Sequence, residues 1–258
     1  TVALPHLKDL PVSLKRYPGG IGGQGFFQKE RPDGAPGWVG TATVPKEGGE
    51  VHHVVVDSAA TLGWLVQIGT IELHVALSTT RALDRPDRLI FDLDPSVDGR
   101  FDWVVDGARR LRALLEEAGL TPFVMTTGSR GLHVVCPLDR SEGFDRVRAI
   151  AQAAARKLAE AVPDRFTVEQ RKAARGERVF IDYLRNGYAQ TTILPYSPRA
   201  KPGAPVAAPV AWSAIGRIGP RRYDVRSMTR RLARTEDPWA AMDRHAAPVD
   251  RLAKVLGL

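Results

Sequence analysis

Two acidic side chains, Asp92 and Asp94, stand near the end of the apolar stretch Arg88–Pro95 (RLIFDLDP). The stretch predicts a β-strand. Because strand side chains alternate between faces, both carboxylates project to one side while Phe91 and Leu93 enter the core. A strand rises about 3.3 Å per residue, so the carboxylates are expected about 6–7 Å apart. Hard oxygen ligands at this spacing suit divalent cations, and two solvated acids at a strand end are the alternative.

A third acid, Asp182, lies inside a second apolar strand, Val179–Leu184 (VFIDYL). A carboxylate in apolar surroundings is costly unless it is paired or bound to a metal ion. We therefore expect Asp182 to complete a metal-binding triad with the first two acids. A salt bridge to Arg175 or Arg185 is the alternative.

The stretch Thr127–His133 (TGSRGLH) has the composition of an anion-binding loop. Its two glycines permit a sharp turn that exposes backbone N–H groups, and Ser129, Arg130 and His133 add side-chain donors. These features predict a triphosphate-binding cradle that is neither a Walker A loop nor a dinucleotide-binding fingerprint. An ordinary hairpin turn is the alternative.

Two further stretches carry side chains suited to a nucleic-acid or nucleotide site. Gly25–Lys29 (GFFQK) places Phe26 and Phe27 beside basic residues, which favours base stacking next to phosphate contacts. The alternative is that both rings belong to the core of a short strand. His74 shares a strand face with Glu72, and a structural histidine is the alternative to a functional one there.

The composition is that of an ordinary globular protein, with 43% hydrophobic and 26% charged residues among 258. This length is enough for one large domain or two small ones. No run approaches the ~20 apolar residues of a membrane span, and no signal peptide opens the sequence. The single cysteine excludes an intramolecular disulfide and fits a reducing cytoplasm. Because the first residue is Thr rather than Met, we expect a processed or trimmed start.

Basic residues are in excess and unevenly distributed. The formal net charge is +8, and seven arginines but one acid, Asp224, lie between residues 217 and 234. Such a surplus favours a polyanionic partner such as nucleic acid. An arginine-rich composition without a binding role is the alternative.

Strands and helices alternate along the rest of the chain. The predicted strands are Trp38–Val44, Val51–Asp57, Ile71–Leu77, Thr121–Thr126, Val134–Cys136, Phe166–Gln170 and Thr191–Arg199. The predicted helices are Ser58–Gly69, Phe101–Ala118 and Phe144–Ala161. Residues 198–210 predict an extended, proline-rich connector. Beyond it, Asp224 is expected to cap a helix that turns Val225, Met228 and Leu232 inward, followed by closing helical segments over Trp239–Leu258.

This order of elements predicts a mixed α/β (α+β) fold. Two β-sheets, or one long folded sheet, would converge on the acidic site, with the two long helices outside.

Taken together and in this order, the stretches resemble the polymerase domain of bacterial DNA ligase D, or a stand-alone relative, in the archaeo-eukaryotic primase superfamily. The resemblance covers nearly the whole chain. The stretches that carry it are Lys15–Pro18, Gly25–Lys29, Leu73–His74, Phe91–Pro95, Gly128–His133, Val179–Asp182 and Pro195–Arg199. It implies a single primase-polymerase catalytic domain over 1–258, with a template-side part (1–80), a catalytic core (81–200) and a connector with basic C-terminal helices (201–258).

The resemblance implies a template-dependent nucleotidyl transferase that fills gaps and extends ends in double-strand-break repair by non-homologous end joining. It implies a two-metal mechanism with Mn²⁺ (or Mg²⁺) and a preference for ribonucleotides. The implied partners are gapped or end-joined DNA with its template strand, an NTP or dNTP, a DNA ligase and an end-binding protein. The implied location is the cytoplasm, at the bacterial nucleoid, without a membrane partner.

The same resemblance implies roles for individual residues. The implied catalytic and metal-binding acids are Asp92, Asp94 and Asp182. The implied nucleotide-binding residues are Ser129, Arg130, His133, Arg199, His74 and Lys15. The implied nucleic-acid contacts are Phe26, Phe27, Lys29 and Arg175.

The chain also departs from the family pattern. It begins too late to contain much of the lysine-bearing N-terminal segment that helps the family grip a recessed 5′-phosphate, which puts that recognition in question. Arg130 stands where lysine is often found, and Arg185 where a neutral amide can occur. No ligase or nuclease module is expected within these residues.

Two other functions stay open. One is a non-catalytic nucleic-acid-binding module in which the acids are structural. The other is an aspartyl phosphatase in which the first aspartate of D-x-D is a nucleophile, although Pro95 and the late position of the motif count against it.

Overall fold

Two six-stranded β-sheets organise the chain in the computed structural model, which describes residues 2–258. In chain order the strands are β1 (Pro11–Arg16), β2 (Phe26–Gln28), β3 (Gly40–Lys46), β4 (Gly49–Val55), β5 (Thr70–Ala76), β6 (Arg88–Pro95), β7 (Phe123–Thr126), β8 (Leu132–Pro137), β9 (Phe166–Thr167), β10 (Val179–Asp182), β11 (Thr191–Ile193) and β12 (Ala208–Val210). The α-helices are α1 (Ala59–Gln67), α2 (Phe101–Glu117), α3 (Phe144–Ala161), α4 (Val225–Leu232) and α5 (Asp250–Leu256).

The first sheet has the strand order β11-β5-β1-β4-β3, with β2 paired to β1. The strands predicted over Trp38–Val44 and Val51–Asp57 form a hairpin, because β3 and β4 pair antiparallel up to Lys46 opposite Gly49. Gly48 takes a left-handed conformation in the turn, where glycine carries no steric penalty. Helix α1 is capped by Ser58, one of the two residues, Asp57 and Ser58, that the sequence offers as caps, and the Ser58 side chain accepts a hydrogen bond from the Thr61 N–H.

The second sheet has the order β12-β7-β8-β6-β10-β9, so the acidic strand β6 lies near its centre. Strands β8 and β10 flank β6 and both run antiparallel to it. Helices α2 and α3 pack against this sheet and bury their apolar stripes together with Phe91 and Leu93. Both helices fall within a residue of the predicted bounds, because their 3.6-residue periodicity is regular throughout.

A buried asparagine continues the pairing of β6 where β10 ends. After Asp182 the chain turns into a short 3₁₀-helix, Leu184–Asn186. The Asn186 side chain accepts a hydrogen bond from Ile90 N at 2.9 Å and donates to Ile90 O at 2.7 Å. It therefore satisfies buried backbone groups that a longer β10 would otherwise have to pair.

The proline-rich stretch 198–210 is extended, but it is not the connector that the sequence predicts. Its last residues form β12, which pairs with β7 at the edge of the second sheet. Ala207 and Ala208 are fully buried, and Val206 N donates to Tyr223 O at 2.8 Å. Proline lacks an N–H but is tolerated on an edge strand, so Pro209 does not prevent pairing.

Two further details differ from the prediction. Strand β11 ends at Ile193 instead of running to Arg199, because the chain turns at residues 194–197 and Tyr196 has a φ of 68°. Asp224 caps α4 as predicted and Met228 is buried, but Val225 is 45% exposed because it lies in the first turn, on the outer side. No helix within residues 2–258 is both long and apolar enough to cross a membrane.

Candidate active site

The acidic side chains are brought together by the register of the second sheet. On β6, Asp92 lies directly opposite His133 of β8 and Asp182 of β10. Directly opposed residues of antiparallel strands share a face, with Cβ atoms about 4.5–5.5 Å apart. Asp94 lies two residues further along β6 on the same face. The three acids predicted as a triad therefore lie side by side on one face of the sheet.

Basic side chains contact each of these acids. His133 Nε2 lies 3.4 Å from Asp92 Oδ1. Arg185 Nε lies 3.2 Å from Asp182 Oδ2 and 3.9 Å from Asp92 Oδ2. Arg130 Nη2 donates to Asp94 Oδ1 at 3.1 Å. The salt bridge considered for the third acid is thus present, through Arg185 rather than Arg175.

These contacts offset the effect of burial on the pKa of one acid but not on the pKa of the other two. Burial acts to raise the pKa of Asp92, but His133 and Arg185 hold that pKa below its ordinary value. Burial and the charge of Asp92 raise the pKa of Asp94 despite Arg130. Burial raises the pKa of Asp182 as well, and Asp92 adds to the effect. Two of the three carboxylates therefore lie where additional positive charge would stabilise them.

The donor set fits hard divalent cations, although it is not a closed metal site. Within residues 2–258 no three His, Cys, Asp or Glu side chains converge closely enough to form one. Instead, the guanidinium groups of Arg185 and Arg130 lie against the carboxylates and supply the cationic charge. Carboxylate oxygens are the ligands that Mn²⁺ and Mg²⁺ prefer, so metal ions would compete with these two arginines.

The glycine-rich loop has the predicted sharp turn but not the predicted backbone donors. Gly128 has a φ of 64°, and a Cβ on Gly131 would collide with the carbonyl of Leu93. The N–H groups of Ser129 and Gly131 donate to Thr127 Oγ1 at 3.2 and 3.3 Å. Since the threonine hydroxyl takes up these two N–H groups, the expectation that they face an anion is wrong.

Side chains supply the positive charge around this loop. Lys201 Nζ donates to Ser129 Oγ at 2.8 Å, and Arg221 Nε donates to Ser129 O at 2.9 Å. Burial, Arg199, Arg221 and Arg130 together lower the pKa of Lys201, which marks a strongly positive local potential. Such a pocket attracts a polyphosphate. Lys201 and Arg221 were missed in the sequence, since one lies in the expected connector and the other in a general basic run.

A buried glutamate on the first sheet fixes three of the predicted nucleotide-binding residues. Glu72, 1% exposed, has one carboxylate oxygen 3.2 Å from His74 Nε2 and 3.2 Å from Arg199 Nε. Its other oxygen accepts from Ala200 N at 3.0 Å and lies 3.9 Å from Lys15 Nζ. Burial opposes ionisation, yet His74, Arg199 and Lys15 lower the pKa of Glu72 to about 2. The sequence signal for Glu72 was an acid within an apolar strand, which is the same signal that indicated Asp182.

The two sheets enclose a cleft of about 510 Å³, within the range of small-molecule sites. His133 contacts both sheets that line the cleft. The His133 Nδ1 is hydrogen-bonded to Thr192 Oγ1 of β11 at 3.3 Å, and the His133 Nε2 faces Asp92 of β6. Of the predicted residues, those that line the cleft are His74, Asp92, Asp94, Ser129, Arg130, His133 and Arg199. Those not predicted include Lys172, Arg185, Lys201 and Arg221.

The paired aromatic residues are outside the core. Phe26 is 45% exposed and Phe27 59%, because β2 is a three-residue strand that pairs only with β1. The centroid of the Phe27 ring lies 5.1 Å from that of the His74 ring, and Lys15 Nζ lies 5.3 Å from the centroid of the Phe27 ring. Two exposed rings beside a cation at the rim of the cleft have the composition of a base-stacking platform.

Lys29 and Arg175, the last two residues predicted to contact nucleic acid, lie in different parts of the structure. Lys29 Nζ donates to Ala189 O at 3.3 Å on the surface. Arg175 stacks on the Phe180 ring at 3.8 Å and donates to Glu169 O at 2.8 Å. Because Phe180 lies opposite Asp94 in the sheet, Arg175 is closer to the acids than to the aromatic pair. Its predicted contact with nucleic acid remains a prediction.

Comparison with known proteins decides the family. The family described as LigD, primase-polymerase domain, matches residues 1–239. The chain belongs to this family.

Curated LigD proteins are similar over almost the whole chain. The non-homologous end joining DNA repair protein LigD of Mycobacterium tuberculosis H37Rv is 33% identical over 263 aligned positions, 98% of this chain and 34% of the relative. LigD of Pseudomonas aeruginosa is 37% identical over 243 positions, 92% of this chain and 29% of the relative. The chain thus spans about a third of the length of these LigD proteins.

A solved structure confirms the fold. The polymerase domain of Mycobacterium tuberculosis ligase D in complex with DNA superposes with a TM-score of 0.88 at 32% identity, covering 95% of this chain and 88% of that one. The resemblance and the mixed α/β fold with two sheets are therefore confirmed. Membership of the LigD primase-polymerase family implies a metal-dependent enzyme of the nucleotidyltransferase type.

Replacing Glu72 by glutamine should destabilise the protein by about 3 kcal/mol at pH 7, because the pKa of Glu72 falls from 4.5 to about 2 on folding. A lowered folded-state pKa contributes stability above pH ~4.5 that is lost as the pH falls towards 2. The difference between wild type and Glu72→Gln in urea unfolding should therefore shrink from pH 7 to pH 3. The exposed Glu160→Gln is the control, and a difference that stays constant with pH would contradict this role.

Replacing Arg185 by glutamine should strengthen Mn²⁺ binding to the nucleotide-free protein about tenfold, because the guanidinium no longer competes for Asp92 and Asp182. Isothermal titration or manganese spin-resonance titration measures the affinity directly. Arg146→Gln removes a similarly exposed arginine from a pair with Asp250 and serves as the control. Equal affinities for wild type and Arg185→Gln would show that the guanidinium does not occupy a metal position.

Proposed function

We propose that this chain catalyses template-dependent transfer of nucleotides to DNA 3′-ends, filling gaps and extending ends during double-strand-break repair by non-homologous end joining. The observation that carries the proposal is the pair of β6 carboxylates, Asp92 and Asp94, which lines one cleft together with a polycationic loop, while Asp182 of β10 lies directly opposite Asp92 in the sheet. Nucleotide addition needs these two environments side by side, one for cations and one for a triphosphate. The names of the LigD relatives support the repair setting, and the DNA complex of the similar structure supports a DNA substrate.

In this proposal Asp92, Asp94 and Asp182 hold two divalent cations, Mn²⁺ or Mg²⁺. When bound, these ions would lower the pKa of the primer 3′-hydroxyl and neutralise charge on the departing pyrophosphate. His133 orients Asp92 through its Nε2 while Thr192 fixes the other ring nitrogen.

The side chains around the loop would bind the incoming NTP or dNTP. Arg130, Arg199, Lys201 and Arg221 converge near Ser129 and would neutralise the triphosphate. Arg199 donates to the backbone of the loop at Thr127 O (2.7 Å), so it is held in position before a ligand arrives.

The sugar and the template would lie towards the first sheet. His74 lines the cleft beside Phe27, which places it near the nucleotide sugar in this proposal. Phe26 and Phe27 would stack against template bases, with Lys29 close by. The proposed preference for ribonucleotides rests on the family resemblance.

The wider setting follows from the same proposal. The chain would act in the bacterial cytoplasm at the nucleoid, beside an end-binding protein that holds the broken ends and a DNA ligase that seals the product. Of the two other functions considered from the sequence, the aspartyl phosphatase is inconsistent with the family to which the chain belongs. A non-catalytic binding module is distinguished by whether nucleotides are incorporated.

The test incubates the protein with labelled ribonucleotides, Mn²⁺ and gapped, overhanging or unprimed DNA. Wild type should extend primers in a template-dependent manner, and the pattern of products identifies the preferred substrate. Asp94→Ala should reduce incorporation more than about 100-fold while DNA binding is largely kept, because a metal ligand is lost. The exposed Asp164→Ala is the control, and primer extension by Asp94→Ala at the wild-type rate would contradict the assignment.

A further inference from the structure

The seven arginines between residues 217 and 234 are not used as counterions by the fold. Within residues 2–258 none of them forms an ion pair with a carboxylate. On α2, by contrast, Arg110 pairs with Asp106 at 3.1 Å and Arg112 with Glu116 at 2.7 Å. The one acid between residues 217 and 234, Asp224, serves as the N-cap of α4 and accepts from Ser227 N at 2.7 Å.

Two of these arginines contact the folded chain and fix the segment in place. Arg231 stacks 4.8 Å from the Tyr223 ring and donates to Pro209 O at 2.9 Å. Arg221 donates to Ser129 O and lines the cleft. The start of α4 is also held, because Val225 N donates to Ala204 O at 3.2 Å. The segment is therefore positioned at the rim of the candidate site.

The other five form what we call the arginine surface, namely Arg217, Arg222, Arg226, Arg230 and Arg234. All five are exposed. Arg226 and Arg230 are four residues apart on α4, and Arg234 follows one turn later. Like charges at this spacing destabilise a helix, and Arg226 lies in the first turn, where the helix dipole disfavours a cation. Arg230 also lies in the last turn of α4, where the helix dipole favours a cation, but this does not account for the other four arginines, whereas a polyanion lying along the surface would reverse both unfavourable effects.

We propose that the arginine surface binds the phosphate backbone of duplex DNA beyond the stretch that occupies the cleft. It would be a nucleic-acid contact separate from Phe26 and Phe27, which lie beside His74 on the first sheet. The inference rests on the proposed function, since continuity with the cleft through Arg221 identifies DNA as the polyanion. Guanidinium groups bind phosphate oxygens in a bidentate manner, so an arginine-only surface suits a nucleic-acid backbone.

The test measures duplex binding by fluorescence anisotropy across a salt series, with the glutamine variant R222Q/R226Q/R230Q/R234Q. The slope of log affinity against log salt is about −0.9 per phosphate neutralised. The slope of the variant should therefore be smaller in magnitude than the wild-type slope by about 3 to 4, because four phosphate contacts are lost. Arg221 is left intact because it lines the cleft.

The control variant R156Q/K157Q/R244Q/K254Q also removes four exposed charges that form no ion pair among the described residues, but these lie on α3, near the C-terminus and in α5. It changes the net charge equally, so its slope should change by less than about 1. Circular dichroism verifies that both variants are folded. A lysine version of the arginine variant should restore the slope, and failure to do so in a folded protein would contradict a charge-based contact.

Two further outcomes overturn the inference. One is an arginine variant whose slope falls no further than that of the control. The other is polyglutamate that competes as well as duplex DNA at equal charge, which would show a general polyanion surface.

Primer extension by wild type, measured in parallel, separates this inference from the proposed function. If wild type extends primers but the arginine variant keeps the wild-type salt slope, the arginine surface is wrong and the proposed function stands. If wild type does not extend primers but the slope falls in the variant, the surface stands and the proposed function is wrong.

Discussion

The pairing register of β6 with its two neighbours is the constraint on which the site depends. Because strand side chains alternate with period two, a slip by one residue would turn Asp92 and Asp94 into the core and Phe91 outward. Three features oppose such a slip. Phe91 and Leu93 are fully buried under α2 and α3, the Asn186 side chain pairs with both backbone groups of Ile90, and Gly131 lets the loop before β8 approach the Leu93 carbonyl. The packing of the core therefore determines which face the acids occupy.

Two sets of charged and polar groups face each other across the cleft, and each is built differently. On the second sheet the acids lie close together, and Arg185, Arg130 and His133 contact them. On the first sheet Glu72 is the single buried acid among residues 2–258, and it holds Lys15, His74 and Arg199 around it. Breaking the pairs of the buried Glu72 would leave an uncompensated charge, whereas the pairs of Arg130 and Arg185 are partly exposed. The charge distribution of the cleft is thus present before substrate or metal binds.

Much of this arrangement could be predicted from local pattern. The strand over 88–95, the two long helices and the capping by Ser58 and Asp224 follow from periodicity and cap chemistry, which depend on neighbouring residues only.

Features that depend on distant residues were missed. Glu72 contacts Lys15 and Arg199 from two other segments, and the 198–210 stretch is a sheet edge, which its proline content conceals. Pro and Gly composition indicates an extended chain but does not show what the chain pairs with.

The most direct measurement of the central claim is the anomalous scattering of Mn²⁺ in crystals of the protein grown with a non-hydrolysable nucleotide. The account predicts manganese peaks within coordination distance of the Asp92, Asp94 and Asp182 carboxylates, with the triphosphate lying against Arg130 and Lys201. Manganese bound elsewhere, with these three carboxylates still paired to Arg185 and Arg130, would contradict it.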